Sequence, residues 1–193
     1  MKGLGADENI ILASKSPRRR ELFSLITGRF ECVSPDVDES VIALDKAEPL
    51  CLALAKLKAE TVFETYPGRV VVGCDTVVDI DGAILGKPAN RAQAFDMIKA
   101  LSGRVHMVYT GVCIKTPHDE RIFSCATSVE FYPLTDEEIE DYISGDEPYD
   151  KAGAYGIQGR AARFVKGIGG DYFNIMGLPV SMIYNTLKDM RCL

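Results

Sequence analysis

The hydrophobic pattern of the chain alternates between short apolar runs and longer helical repeats, which is typical of an α/β protein. Apolar and β-branched runs predict strands at residues 10–13, 29–33, 69–73, 105–115, 121–132 and 163–166. Amphipathic repeats predict helices that begin near residues 17, 48, 90, 135 and 179. The first helix is expected to end at Gly28 with Leu25 facing inward, and Asp81-Gly82 predicts a hairpin. This order of elements predicts a mixed sheet with helices on its faces.

The first predicted helix has an unusual charge pattern at its start. Ser16 can cap the helix, and Pro17 suits its first position. Arg18, Arg19 and Arg20 follow, although the positive end of a helix dipole favours acidic side chains. An anion bound there would meet free amides, the dipole and guanidinium groups together. The segment therefore predicts a phosphate-binding site, with a solvated basic helix start as the alternative.

Length and composition favour a single globular domain. The chain has 193 residues, 47% of them hydrophobic, so we expect an N-terminal extension of residues 1–9 and one domain over residues 10–193. A net charge of -6 argues against general nucleic-acid binding. No apolar run approaches the roughly 18–20 residues that cross a bilayer, and no signal pattern is present, so we expect a cytoplasmic protein without membrane contact. The six scattered cysteines are interpreted as reduced thiols.

Asp75 is a candidate for chemistry because it follows the apolar run 69–73, at the predicted end of a strand. In α/β folds, ligands bind beyond the carboxyl ends of strands. A carboxylate there can hold a divalent metal or take a proton from water. The alternative is an aspartate that caps the next turn. Thr76 beside it is either a strand residue or a hydroxyl that contacts a ligand.

Lysines and an acidic turn could complete such a site. Lys87 lies in a Gly-Lys-Pro loop whose small residues leave room for a ligand, with a surface lysine as the alternative. Lys56 and Lys58 share a helix but face different directions, so one of them could reach a pocket. The acidic turn 36–39, which ends in Glu39, could supply oxygen ligands to Mg²⁺ or Mn²⁺, or could simply be solvated.

The glycine-rich segment 150–159 is a further candidate for ligand binding. Its small residues surround Tyr155 and Gln158, so backbone amides can approach a ligand closely. The Gln158 amide both donates and accepts, which suits the edge of a nucleobase. A glycine-rich surface loop is the alternative. Phosphoryl chemistry needs positive charge, a metal and a carboxylate that orients water, and these candidates together supply that set.

Six motifs in this order resemble the Maf family of proteins. They are Ser14-Lys15-Ser16-Pro17-Arg18-Arg19, the Glu39 turn, Lys58-Ala59, Asp75-Thr76-Val77-Val78, Gly86-Lys87-Pro88 and the 150–159 loop. The resemblance covers the chain from about Ile10 to Leu187. It implies the fold of the related inosine triphosphate pyrophosphatases, a mixed twisted sheet flanked by helices, with a cleft between two lobes.

The resemblance also implies hydrolysis of a nucleoside triphosphate between its α and β phosphates, with Mg²⁺ or Mn²⁺ as cofactor. By matching position, Asp75 would be the catalytic carboxylate that activates water, and Asp75 and Glu39 would bind the metal. Lys58 and Lys87 would complete the catalytic group by holding the triphosphate. The implied substrate-binding residues are Ser14, Arg18, Arg19, Thr76 and Gln158.

The 152–158 loop resembles the family branch that acts on dTTP and UTP. The implied protein is a cytosolic homodimer in nucleotide-pool sanitation, acting on these and on modified pyrimidine triphosphates. Arg18, Thr76 and Gln158 fall at positions that select the base, and we expect Thr76 and Gln158 to supply most of the discrimination. The alternatives are a pyrophosphatase for 7-methyl-GTP and a non-catalytic, nucleotide-binding regulator of cell division.

Overall fold

The computed structural model describes residues 10–193, in which seven strands form one mixed sheet. The strands are β1 (Ile10–Ala13), β2 (Phe30–Val33), β3 (Val71–Ile80), β4 (Ala83–Leu85), β5 (Val105–Lys115), β6 (Glu120–Phe131) and β7 (Val165–Gly169). The helices are α1 (Pro17–Ser24), α2 (Ala47–Thr65), α3 (Arg91–Leu101), α4 (Asp136–Ile143), α5 (Tyr172–Ile175) and α6 (Val180–Asp189). The predicted extension, residues 1–9, lies outside the described residues.

The strand order is β2-β1-β3-β5-β6-β7, and β4 forms a hairpin with β3. β1 pairs in parallel with β2 and β3, whereas the other pairs are antiparallel. The mixed sheet flanked by helices that the sequence predicts is therefore confirmed. Asp81 and Gly82 have positive φ values of 53° and 84°, as the predicted tight hairpin turn requires.

The helices begin where side chains can satisfy their first free amides. The Ser16 hydroxyl accepts from the Arg19 amide at the start of α1, and Asn90 caps α3 in the same way. Thr135 and Glu138 form a reciprocal capping box at the start of α4. These three starts confirm the predictions from local sequence.

The predicted end of α1 and the predicted start of β7 are wrong. α1 ends at Ser24 rather than Gly28, because the amides of Leu25 and Ile26 turn back to carbonyls three residues earlier and tighten the chain. Leu25 is 62% exposed, so it does not belong to the inward face. β7 starts at Val165 rather than at residue 163, since residues 160–164 form a 3₁₀ turn.

Helices cover both faces of the sheet. Successive side chains of β3 alternate between the faces, so that Val71 and Val77 pack toward α2 while Val72 and Val78 join the larger core. That larger core contains buried side chains of α1, α3, α4 and α6. All six cysteines are free, as expected, and no helix within residues 10–193 is long and apolar enough to cross a bilayer.

α2 lies unusually close to the sheet because two strand glycines face it. A Cβ atom on Gly111 of β5 would lie less than 3.0 Å from the carbonyl group of Cys51. A Cβ atom on Gly73 of β3 would be equally close to the carbonyl oxygen of Ala55. The missing side chains let the α2 backbone rest on the strands, which brings the Lys58 side chain to β3.

β3 changes its partner along one side. β1 pairs with its residues 71–73 and β4 with residues 78–80, while β5 pairs continuously with residues 71–79 on the other side. Among the described residues, no strand covers residues 74–77 on the first side. Asp75 therefore lies in the middle of β3. The sequence predicts it at the end of a strand, and that prediction is wrong.

Candidate active site

A cleft of about 590 Å³ opens at the uncovered part of β3. One wall comes from the start of α1 and from α2, and the other from residues 147–159. The predicted site residues that line it are Arg18, Arg19, Glu39, Lys58, Asp75, Thr76, Lys87 and Gln158. Ser14 does not line the cleft: it is buried, and its hydroxyl accepts from the Ser16 amide at 3.1 Å. The fold thus brings together eight of the nine predicted residues.

The floor of the cleft holds two carboxylates bridged by one ammonium group. Lys58 Nζ lies 2.6 Å from Asp75 Oδ1 and 2.9 Å from Glu39 Oε1. Lys58 is 7% exposed and Asp75 8%, so this is a buried ion pair, and removal of either partner would leave the other charge uncompensated. Of the two lysines considered on α2, Lys58 reaches the cleft, whereas Lys56 pairs with acidic groups outside it. The bridge holds Asp75 in a fixed orientation at the floor of the cleft.

The acidic turn before α2 contributes one carboxylate to the cleft, that of Glu39. The Asp38 carboxylate has a different role: it accepts from the amide and hydroxyl of Ser40 and caps a 3₁₀ turn, Glu39–Val41. Within residues 10–193, no three His, Cys, Asp or Glu side chains are grouped as a metal site. Mg²⁺ is commonly held by one or two carboxylates plus substrate phosphates. Asp75 and Glu39, which meet at one lysine nitrogen, fit that limited donor set.

Arg19 occupies the uncovered side of β3. Its guanidinium donates to the Gly177 carbonyl at 2.8 Å, the Cys74 carbonyl at 2.8 Å and the Thr76 hydroxyl at 3.0 Å. The Cys74 carbonyl lies in the part of β3 that neither β1 nor β4 covers, so Arg19 satisfies a backbone group at this gap. A guanidinium has five N–H donors, which leaves Arg19 further donors for an anion.

Arg18 closes the mouth of the cleft. Its guanidinium lies 2.8 Å from the Asp150 carboxylate on the opposite wall. Burial raises the pKa of Asp150, but hydrogen bonds from Lys151 and Arg18 outweigh it and leave this pKa below its usual value. Lys87 lines the same cleft with an exposed side chain. The walls therefore present several cations to an entering polyanion.

Hydrogen bonds hold the glycine-rich wall in place. Glu147 accepts from the Tyr142 hydroxyl at 3.0 Å and from the Arg160 amide at 2.8 Å, which ties down the end of the loop that carries Gln158. Tyr155 also lines the cleft, and its hydroxyl lies 2.8 Å from the buried His106 Nε2. Burial lowers the pKa of His106 to about 4, so the imidazole is neutral at physiological pH.

Thr76 faces the cleft from the side of the sheet opposite to Asp75. Its hydroxyl lies 2.9 Å from the Thr110 hydroxyl on β5, and Thr110 donates to the Asn174 carbonyl at 3.1 Å. Sequence reasoning missed Thr110 and Asn174. A buried threonine inside the apolar run of β5 was a signal, but the register that sets it opposite Thr76 is a tertiary property.

The sheet and its flanking helices define a class of α/β fold to which the Ham1 proteins belong. Solved structures of Ham1 proteins from Staphylococcus aureus and Coxiella burnetii superpose with TM-scores of 0.59 and 0.52. They are 14% and 13% identical to this chain and cover 95% and 94% of it, with 100% and 99% of their own chains matched. At such low identity the likeness shows the fold alone.

The chain belongs to the Maf-like protein family, whose model matches residues 9–190. A dTTP/UTP pyrophosphatase of Carboxydothermus hydrogenoformans is 51% identical over 93% of this chain and 97% of its own length. A dTTP/UTP pyrophosphatase of Bacillus mycoides is 46% identical over 93% of this chain and 94% of its own length. The family resemblance in the six sequence motifs is thereby confirmed.

Proposed function

We propose that this protein hydrolyses dTTP and UTP to the nucleoside monophosphate and pyrophosphate. The observation that carries the proposal is the buried Lys58–Asp75 pair, joined by Glu39, at the floor of a cleft whose walls carry arginines and lysines. Its relatives of 51% and 46% identity named dTTP/UTP pyrophosphatase support the nucleotide specificity.

The cationic walls would bind the triphosphate, since the four or so negative charges of a nucleoside triphosphate need charge-assisted donors. Arg18 would leave its ion pair with Asp150 to bind a phosphate group, and Lys87, from the loop after β4, would bind the triphosphate as well. Asp75 would take a proton from the attacking water, and Lys58 keeps its carboxylate aligned for that transfer. A divalent cation held by Asp75 and Glu39 would neutralise phosphate charge.

Pyrophosphate release across the common nucleoside triphosphates tests this proposal, with Mg²⁺ or Mn²⁺ added. Asp75→Asn keeps the shape but removes the base, so activity on dTTP and UTP should fall by about 10²–10⁴-fold. Asp79→Asn is the matched control, because Asp79 lies on the same strand but outside the cleft and caps the β3–β4 hairpin. Equal activity of Asp75→Asn and the wild type would refute the catalytic role.

The substrate panel also separates the alternatives. Release from 7-methyl-GTP in preference to UTP would assign the site to a purine nucleotide. Nucleotide binding without release by the wild type would leave the regulator of cell division as the working hypothesis.

We further propose a cytoplasmic homodimer that uses Mg²⁺ or Mn²⁺ and binds neither nucleic acid nor membrane. The family resemblance supports the dimer and the metal, and the net charge of -6 opposes general binding to nucleic acid. A light-scattering mass near twice 21.1 kDa would support the dimer, and a mass near 21.1 kDa would refute it. Loss of activity with a chelator, restored by added Mg²⁺ or Mn²⁺, would support the metal.

A further inference from the structure

We infer that Thr110, which cannot touch the nucleotide, makes Thr76 a pure hydrogen-bond acceptor toward the base and so excludes cytosine. This inference rests on the proposed function, and it concerns how the cleft distinguishes pyrimidines. Thr110 is fully buried on β5, whereas Thr76 is only partly buried and lines the cleft. Thr110 would therefore be a positioning residue that acts through Thr76.

A chain of hydrogen bonds fixes the direction of each hydroxyl. The Asn174 carbonyl can only accept, so the single hydroxyl proton of Thr110 is used on it, at 3.1 Å. Thr110 must then accept from Thr76, whose oxygen lies 2.9 Å away. Arg19 can only donate, and it donates to the same Thr76 oxygen at 3.0 Å.

This arrangement leaves Thr76 with one lone pair and no proton for a ligand. A hydroxyl has one donor proton and two acceptor lone pairs. The Thr76 hydroxyl donates its proton to Thr110, and one of its lone pairs accepts a hydrogen bond from Arg19. Toward a ligand in the cleft, Thr76 can therefore only accept a hydrogen bond, through its second lone pair.

Gly177 keeps this oxygen accessible. A Cβ atom at Gly177 would lie 3.2 Å from Thr76 Oγ1 and 3.3 Å from Arg19 Nε, and the φ of Gly177 is +102°, which side chains rarely adopt. Asn174 is held rigidly as well, since its side-chain amide donates to Val108 at 3.0 Å and to Thr127 at 2.9 Å. The donor and acceptor pattern is thus built into the fold before a nucleotide binds.

A fixed acceptor separates the two kinds of pyrimidine by the chemistry of their N3 atoms. Uracil and thymine carry a proton on N3 and can donate to Thr76. Cytosine has a lone pair on N3, so two acceptors would face each other and the buried pair would be unsatisfied. A site built to accept a substrate N–H rejects the analogue that lacks it.

The test compares kcat/KM for UTP and CTP in the wild type, Thr110→Val and Thr110→Ser. Valine has nearly the shape of threonine but no hydroxyl, so the Thr76 proton becomes free to turn toward cytosine. We expect the UTP-to-CTP ratio to fall about tenfold or more in Thr110→Val, mainly through faster CTP hydrolysis. Thr110→Ser restores the hydroxyl and should keep the wild-type ratio within about twofold.

An unchanged ratio in Thr110→Val would overturn the inference, as would an equal fall in Thr110→Ser, which would indicate packing rather than hydroxyl direction. A wild type that releases no pyrophosphate from UTP or dTTP would instead refute the proposed function. Thermal melting verifies that each variant is folded. If Thr110→Val does not fold, Thr110→Cys replaces it, because a thiol is only a weak acceptor, and the same criteria apply.

Discussion

Acidification is expected to destabilise the fold through one buried histidine. His106 is 1% exposed on β5, and its ring packs edge-on against Phe131 and Tyr155 at centroid distances of 5.1 and 5.3 Å. Burial lowers its pKa from 6.5 to about 4. Between these two values the unfolded chain binds a proton that the folded protein excludes, so the free energy of unfolding falls as the pH falls.

The size of this effect follows from the difference between the two pKa values. One pKa unit corresponds to about 1.4 kcal/mol, so His106 should remove about 3 kcal/mol of stability by pH 4 and nothing above pH 6.5. Domains of this kind are stable by about 5–15 kcal/mol, so the loss should be readily measurable. Urea denaturation at several pH values between about 7.5 and 4.5 provides the free energies.

Two variants isolate the contribution of His106. His106→Gln keeps an amide that can donate to or accept from the Tyr155 hydroxyl but does not titrate in this range, so the stability of this variant should depend less on pH than that of the wild type. His118→Asn is the matched control, because His118 is exposed in the turn between β5 and β6. If His106→Gln loses stability toward pH 4.5 as steeply as the wild type, the assignment to this imidazole is refuted.

Two further predictions concern packing and the mouth of the cleft. Gly111→Ala should lower the free energy of unfolding, measured with urea, by about 1–3 kcal/mol, because the added Cβ atom would overlap the α2 backbone. Gly68→Ala is the control and should leave this free energy unchanged, because no atom lies within 4 Å of its added Cβ atom. Equal losses in the two variants would contradict the prediction. Asp150→Asn should lower the KM for UTP by a few fold and leave kcat unchanged. In this variant Arg18 no longer has to give up its ion pair with residue 150 before it binds a phosphate, and an exposed ion pair is worth about 0.2–1 kcal/mol. Steady-state kinetics measure this change in KM, with Asp119→Asn as the control, because Asp119 lies away from the cleft. A raised KM in Asp150→Asn would contradict the prediction.

The parts of the fold that depend on neighbouring residues could be predicted from the sequence. The caps at Ser16, Asn90 and Thr135 involve amides three residues ahead, and the predictions there are confirmed. The positions of β1 and of the first part of β3 follow from apolar runs, because burial on both faces leaves a continuous hydrophobic signal. The site residues matched by motif also lie in one cleft, with the exception of Ser14.

Features that depend on contacts between distant residues could not be predicted. Asp75 was placed at a strand end, because the switch of β3 from β1 to β4 has no local signature. The Arg19–Gly177 hydrogen bond spans 158 positions, so the apparent anion site at α1 gave no indication that this arginine also completes the sheet. Within the acidic turn, Asp38 caps the 3₁₀ turn while Glu39 reaches Lys58, a division of roles that the sequence of the turn does not indicate.

Asp75 and Thr76 are consecutive on β3, so alternation sends their side chains to opposite faces of the sheet. The Lys58 contact is made on the α2 face, and the Thr110 and Asn174 contacts on the other. Under the proposed function, substitutions that alter base preference would therefore accumulate beneath one face without disturbing the proposed proton-transfer group on the other. A lineage built on this strand would then change which nucleotide it hydrolyses while it keeps the same hydrolytic chemistry.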